Sequence, residues 1–292
     1  MVTGASGFVG RHLIDELRER KLAFRTLERG QEVTSEVDTL IHLAGKAHFD
    51  RAQEQNLENY FQANRDYALS VAERACDKGL QHFIYVSSMS VYGLRCAAND
   101  IDENTMLNPA DSYGISKLKG ETALQELSAS KGFRLTIVRP SLIYGFDAPG
   151  NFEVLMRYIH NHSLIPFTTS NNQRSILSIN NFVDFLVKIS SQHESVSGTF
   201  NVSDNTPIST AEMVKSLAKG MDKEVTQLNL PKTFWKVALA ALGKSKVYQQ
   251  LFEDLVVDSS LASSSLAWQA PYSTLTELTE CGRHFKENQN LK

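Results

Sequence analysis

Tyr113 and Lys117 stand four residues apart in SYGISK, the spacing that brings two side chains onto one face of a helix. An ammonium beside a phenol favours the phenolate. Moving a phenol from about 10 toward about 7 takes roughly 4 kcal/mol of differential stabilisation, within reach of a nearby cation joined by a second positive charge. A tyrosine so placed exchanges a proton with a hydroxyl. Upstream, VSSMSVYG (86 to 93) ends an apolar run in Ser87 and Ser88. A hydroxyl at the C-terminal end of a buried strand faces the crevice where open α/β sheets bind ligands, so Ser88 is placed to hydrogen-bond a reacting oxygen. Capping the strand end is the plainer use of the same serine.

The other chemistry lies at the start, MVTGASGFVG, with glycines at 4, 7 and 10. They permit a tight turn, close approach of backbone to a pyrophosphate and close packing of helix on strand, with helix N–H groups offered to the anion. An ordinary turn would use them equally well. Glu28 supplies context, 24 positions after Gly4 and at the end of a second strand, where a carboxylate accepts from adenosine ribose hydroxyls and favours NAD. Its neighbour Arg29 suits a 2′-phosphate, which leaves NADP open.

These residues need elements to hold them. RHLIDELRER (11 to 20) puts Leu13, Ile14 and Leu17 on one face, so strand, glycine turn and amphipathic helix follow in order. Short strands are predicted at 24 to 27, 38 to 45 (DTLIHLAG), 82 to 88 (HFIYVSS) and 134 to 140 (RLTIVRP), with helices at about 56 to 78 and 112 to 131. Strands alternating with helices predict an α/β fold, a Rossmann doubly wound parallel sheet. Residues 1–150 read as the NAD(P)-binding domain. Residues 151–292 read as a smaller C-terminal substrate-binding lobe, including a capped helix at 208 to 221, with about 174–203 returning to the first domain.

Composition narrows the classes. A chain of 292 residues supports a large core, and its net charge of −3 gives no global pull toward nucleic acid or anionic membranes. Three widely spaced cysteines, Cys76, Cys96 and Cys281, offer neither a disulfide framework nor a zinc pattern, which fits a reducing cytoplasm. No stretch has the length of a secretory leader or a membrane span. The eight histidines show no metal spacing: His42 in DTLIHLAG reads as a satisfied core residue, and His48 is assigned no role.

TGASGFVG, DTLIHLAG, VSSMSVYG, YGISK and RPSLIYG, in that order, resemble the extended short-chain dehydrogenase/reductase superfamily and its NAD-dependent epimerase/dehydratase branch. The resemblance implies Ser88 and Tyr113 at the reacting hydroxyl and Lys117 holding both tyrosine and nicotinamide ribose. Cofactor contacts are implied for Gly4, Ser6, Gly7, Phe8, Val9 and Gly10, for Leu43, Ala44 and Gly45, and for Asn64 in QANRDYALSVAERA; a polar helix position is the plainer reading of Asn64. On the substrate side it implies Ser90, Asn151 in GNFEVLMRYI and Arg174 in QRSILSINNFVDFL, the last two toward a nucleotide diphosphate, for which a guanidinium fork is suited. Unaided, Asn151 is a loop residue and Arg174 a surface charge.

Dehydratases of the superfamily follow the catalytic Ser or Thr with an Asp-Glu pair, and the 3,5-epimerase-reductases place a cysteine there. This chain has Met89 and Ser90, which argues against both. The implied activity is a UDP-hexose 4-epimerase acting through a transient ketone; the alternatives are a 4-ketoreductase and a non-catalytic NAD(P)-binding regulator. The C-terminal layout, ending in LAWQAP, more closely resembles a bacterial subgroup that includes 4-epimerases and 4-ketoreductases of cell-surface polysaccharide pathways. A homodimer through the helices at 56 to 78 and 112 to 131 is also implied, with Tyr60, Phe61 and Tyr67 at its interface or in the subunit core.

Three departures bear on the site. Only Met1 and Val2 precede the glycine motif's Thr3-Gly4 step, where family members usually carry more, so an N-terminal extension is expected to be missing. Asp38 follows Arg29 by nine positions, too few for the usual helix and third strand. The Arg-x-x-Asp element that grips the uridine ribose has no match near LFEDLVVDSS.

Overall fold

The computed structural model describes residues 1–47, 56–166, 170–192, 197–227 and 230–290. The first half runs β1 (Val2–Thr3), α1 (Phe8–Glu19), β2 (Thr26–Leu27), β3 (Thr39–His42), α2 (Leu57–Phe61), a π-helical turn (Gln62–Asp66), α3 (Tyr67–Cys76), β4 (His82–Val86), a 3-10 turn (Met89–Tyr92), α4 (Ser112–Lys131) and β5 (Arg134–Pro140). The second half runs β6 (Leu142–Tyr144), α5 (Asn151–Asn161), β7 (Leu164–Ile165), β8 (Ile176–Ser178), α6 (Ile179–Ser191), β9 (Gly198–Val202), α7 (Thr210–Gly220), β10 (Thr226–Gln227), α8 (Lys232–Ala241), α9 (Ser245–Phe252), α10 (Ser260–Leu266) and α11 (Thr274–Asn290).

Six strands form one parallel sheet in the order β2-β1-β3-β4-β5-β9. Its strands are largely apolar because both faces are covered, and the period of two sorts their side chains. Ile41, Ile84 and Val138 pack with Leu13 and Leu17 of α1 and Phe182 and Leu186 of α6. Their neighbours Leu40, Phe83, Tyr85 and Ile137 pack on the opposite face with Val71 of α3 and Leu124 of α4. The stretch after β8 thus comes back to the sheet, α6 beside α1 and β9 as the sixth strand. A separate apolar cluster, Phe152, Met156, Ile159, Val214, Leu217, Leu278 and Phe285, joins α5, α7 and α11. Between β2 and β3 the chain forms no helix, as the short spacing requires, and the sheet stops at β2.

The aromatics of the 56 to 78 region divide unequally. Tyr60 is buried in its own subunit. Tyr67 lies between the His42 ring and the Arg29 guanidinium, 5.6 and 4.9 Å from their centres. Phe61 remains partly exposed beneath Arg65. Core packing therefore accounts for the first two.

Two histidines sit fully inside the sheet. His42 Nδ1 is 3.0 Å from Thr3 Oγ1 and His82 Nε2 is 2.7 Å from Thr136 Oγ1. Burial, first of all, and nearby cations lower His42 to about 3 and His82 to about 4. An unfolded histidine takes up a proton near 6.5 that these refuse until much lower pH, so the unfolded state binds more protons in that window. Stability is then expected to fall as pH drops from 6.5 toward 4, by up to about 1.4 kcal/mol per pH unit for each histidine. The urea midpoint should be lower at pH 5.5 than at pH 7.5; an unchanged midpoint would refute the assignment.

Candidate active site

The glycine turn between β1 and α1 leaves no room for side chains. Gly4 has φ +70°, and a Cβ there would lie 2.7 Å from the Ala44 amide nitrogen; one on Gly10 would fall onto the Gly4 carbonyl oxygen and 2.7 Å from Ala5 Cα. Gly7 precedes α1 without any side-chain cap, and no acidic residue occupies the first turn. The first helical bond is donated by Arg11 to Gly7 O, so amides from Phe8 to Gly10 are available to an anion. Ser6 and Phe8 border this turn. Thr3 ties it to the next strand, its hydroxyl accepting from Ala44 N at 3.3 Å, which sets Leu43, Ala44 and Gly45 beside the cradle. The residues present therefore fit a dinucleotide's pyrophosphate. Gly10→Ala is expected to displace α1 and weaken NAD binding at least tenfold, as read by calorimetric titration; unchanged affinity would show that the close approach is dispensable.

At the end of β2, Glu28 N donates to Gln31 Oε1 at 3.0 Å and Gln31 N returns a bond to Glu28 O at 3.1 Å. This tight turn leaves the Glu28 carboxylate exposed next to β1. Arg29 instead lies over the Tyr67 ring.

Asp111 caps α4 by accepting from Gly114 N at 2.8 Å, and this start positions Tyr113. Gly114 lets the helix press against the 3-10 turn: a Cβ there would lie 2.5 Å from Ser90 O. Tyr113 is half-buried and its phenol hydrogen-bonds Ser88. Ser88 in turn accepts from Ser90 N and donates to Ser90 Oγ, both at 3.1 Å. One helical turn on, Lys117 is buried, donates from Nζ to Val86 O at 2.9 Å and lies 4.8 Å from the centre of the Tyr85 ring. A Cβ on Gly45 would meet Lys117 Nζ at 3.2 Å and Asn64 Oδ1 at 2.7 Å. Ser88, Tyr113, Lys117, Gly45 and Asn64 thus converge at the C-terminal ends of β3 and β4.

The electrostatics differ from the sequence expectation. Burial raises Tyr113 to about 12, opposed by the Ser88 hydrogen bond and reinforced by Asp111. Burial likewise lowers Lys117 to about 8, opposed by Glu121. The lysine faces the Val86 carbonyl and the Tyr85 ring, and desolvation outweighs any help it gives the phenolate. A further positive charge at this spot is needed to bring the phenol down.

Asn64 occupies the π-helical turn, a feature frequent at functional sites. Its carboxamide accepts from Lys46 N at 2.7 Å and donates to Lys46 O at 3.0 Å and Ser116 Oγ at 2.9 Å. All three bonds lie within the protein, and two of them hold the backbone of Lys46, next to Gly45.

Sequence reasoning missed the charged pair beneath the site. Arg139 at the end of β5 donates to both Glu121 carboxylate oxygens, from Nε at 3.0 Å and Nη2 at 2.6 Å. Ser87 donates to the same carboxylate, and Arg139 Nη1 donates to the Tyr92 hydroxyl at 2.8 Å, which donates onward to Asn201 at 2.9 Å. Their side chains are 5% and 2% exposed. The available signal was an arginine inside an apolar strand, with Glu121 four residues after Lys117.

The remaining candidates lie elsewhere. Asn151 is exposed as the first residue of α5. Arg174 is half-buried, with Nη1 donating to the carbonyls of Arg95, Gln249 and Glu253 at 3.3, 3.4 and 3.0 Å. It closes the C-terminal end of α9 and is less a surface charge than a clamp, engaged through one nitrogen of its fork. Two cavities, of about 520 and 450 Å³, open beyond β9 around Ser203 and Asp258 and beside Cys96 and Tyr248. Neither is lined by Ser88, Tyr113 or Lys117, which lie at the strand ends instead. His48 lies outside the described residues. Among the described residues no group of three or more His, Cys, Asp or Glu could hold a metal ion, and no helix is long and apolar enough to cross a membrane.

A doubly wound parallel sheet whose first turn is this glycine cradle, with a serine, a tyrosine and a lysine meeting at the strand ends, defines a Rossmann-fold protein of the short-chain dehydrogenase/reductase kind. The model of the NAD dependent epimerase/dehydratase family matches residues 1–203, and the chain belongs to that family. It is 29% identical to a UDP-glucose 4-epimerase of Vibrio cholerae over 99% of this chain and 96% of the relative. It is 26% identical to the N-acetyl-alpha-D-glucosaminyl-diphospho-ditrans,octacis-undecaprenol 4-epimerase of Escherichia coli O157:H7, over 79% of this chain and 75% of that one. Among solved structures, the UDP-N-acetylglucosamine 4-epimerase from Bacillus cereus superposes with a TM-score of 0.77 at 17% identity, covering 98% of each chain.

Proposed function

We propose that this protein is an NAD(P)-dependent 4-epimerase of a nucleotide-linked hexose, with a UDP-hexose as substrate. The observation that carries the reading is the Tyr113 phenol held by the Ser88 hydroxyl, with Lys117 one turn further on and the glycine cradle on the adjoining strands. The full-length similarity to a UDP-glucose 4-epimerase supports the substrate class. NAD(P), when bound, supplies reversible acceptance of hydride from C4 of the sugar and the positive ring charge that favours phenolate.

Tyr113 takes the proton of the C4 hydroxyl as the C4 hydride leaves, and gives it back when hydride returns to the opposite face of the ketone. Ser88 donates a hydrogen bond to the C4 oxygen in each direction. Lys117 holds the ribose end of the cofactor, and Gly45 leaves room for it. Glu28, exposed at the end of β2, accepts from the adenosine ribose; with Arg29 engaged by Tyr67, the arrangement favours NAD over NADP. Asn151 and Arg174 are assigned to the diphosphate, and the α5–α7–α11 lobe to substrate binding. Met89 and Ser90 provide no acid or base for dehydration. The free cysteines, all with thiol pKa values raised, chiefly by burial in Cys76 and Cys281 and by the Glu253 hydrogen bond in Cys96, suit the cytoplasm. A homodimer through α3 and α4, and a place in cell-surface polysaccharide assembly, complete the proposal.

Purified protein given a UDP-hexose and NAD, with no reductant, is expected to interconvert the C4 epimers. Stoichiometric consumption of NADH or NADPH with a 4-keto sugar and no epimerisation would replace this reading with the ketoreductase.

A further inference from the structure

The period of two in HFIYVSS sets Phe83 and Tyr85 on one face of β4. Phe83 packs in the core against Phe133. Tyr85 is equally buried but carries a hydroxyl, and a buried hydroxyl needs a partner. It donates to the backbone carbonyl of Asn64, in the π-helical turn, at 2.9 Å. α4 leaves room for this bond at Gly120, where a Cβ would lie 2.5 Å from Tyr85 Oη and 3.1 Å from Asn64 O. The bond ties down the end of the ring, and Lys117 Nζ lies over that ring, 4.8 Å from its centre.

A buried ammonium has three N–H groups to satisfy and a large hydration energy to replace. Among the described residues Val86 O is the hydrogen-bond acceptor of Lys117. Glu121, one turn along α4, favours the ammonium through space, while its carboxylate is hydrogen-bonded by Arg139 of β5 and by Ser87. The other titratable groups around Lys117 add no negative charge. His42, paired with Tyr85 across β3 and β4, is kept neutral chiefly by burial; Lys46, exposed in the loop after β3, has the same sign as Lys117. Tyr113, on which Tyr60 of α2 also acts, is held up by burial. The Tyr85 phenol is itself kept protonated, by burial first and then by Glu121 and Tyr113. The negative face of its neutral ring is the attraction left for the ammonium in this desolvated place.

We propose that Tyr85 is a positioning residue for the reaction: its ring, tethered to Asn64, holds Lys117 as an ammonium at the ribose end of the cofactor. The proposal rests on the role given to Lys117 above. An aliphatic residue would fill the same core but would offer the ammonium no negative face.

The test is the titration of Lys117 in the full-length protein, without substrate, followed by NMR on isotope-labelled lysine and assigned by the signal missing from Lys117→Met. Burial brings this lysine to about 8, apart from ordinary lysines near about 10.4. Tyr85→Phe keeps the ring, and its midpoint serves as the reference. Placing a ring-trifluorinated phenylalanine at the same position keeps the shape and weakens the negative face. The midpoint should then fall by about one pH unit, with circular dichroism unchanged, and the alkaline limb of kcat/KM for UDP-hexose epimerisation should fall with it. Equal midpoints in the two forms overturn the proposal and leave Tyr85 as core packing. A midpoint that falls while the limb stays in place upholds the hold of the ring on Lys117 and counts instead against the reaction assigned to that lysine.

Discussion

Tyr113→Phe is expected to lower epimerisation by roughly 10³-fold while leaving NAD affinity within about twofold. General acid–base catalysis by a positioned side chain contributes about 10²- to 10⁴-fold, and the substitution removes only the hydroxyl that would exchange the C4 proton. The fold should survive, because the helix N-terminus is fixed by Asp111 and Gly114 rather than by the phenol. Turnover measured under saturating substrate, alongside cofactor titration, checks both halves. Preserved turnover would remove Tyr113 from the chemistry, and preserved biological activity with normal cofactor binding would favour a regulator. The pH dependence offers an independent reading. Because burial holds the phenol up at about 12 without a cofactor, spectrophotometric titration of Tyr113 should show a lower value once NAD is bound, the added positive charge favouring the phenolate.

Glu121→Ala should cost about 3–5 kcal/mol of folding stability, the usual result of stranding one member of a buried ion pair. Among the described residues Arg139 would keep the Tyr92 hydroxyl as its hydrogen-bond partner, and Ser87 would lose its acceptor. The damage extends to the site. Glu121 opposes the lowering of Lys117, so without it Lys117 should deprotonate at lower pH, and the alkaline limb of the kcat/KM profile should move downward. Glu121→Gln keeps the shape and a hydrogen-bond acceptor, and should recover part of the stability but not the pH limb. Urea denaturation and the pH profile together separate a positioning role from a purely structural one; an unmoved limb in both variants would leave Glu121 with stability alone.

Much of the architecture was legible because it is written at short range. The helix at 112 to 131 and the strand at 134 to 140 have the same bounds in sequence and structure, since a capping residue, Asp111, and a terminating Gly132 mark the one and an apolar-rich stretch closed by Pro140 marks the other. The predicted strands at 24 to 27 and 38 to 45 shrink to Thr26–Leu27 and Thr39–His42, although the flanking Arg25, Asp38 and Leu43 still hydrogen-bond the neighbouring strands through their backbones. The predicted helix at 56 to 78 is interrupted by the π-helical turn around Asn64. No local pattern signals that turn; it coincides with the Asn64 bonds to Lys46 and Ser116.

By itself the sequence determined where a dinucleotide cradle and a Tyr-Lys pair would sit, because glycine spacing and helical periodicity are properties of neighbouring residues. Tertiary structure alone decided which charges face each other: Glu121 takes Arg139, Arg174 turns to the carbonyls at the end of α9, and Lys117 points at Val86. It also decided that the apolar residues of α8 stay outside the core. The physical reason is that these partners are far apart along the chain, so their encounter depends on how the sheet and helices pack, and burial then sets each group's proton affinity in directions that composition and spacing do not encode.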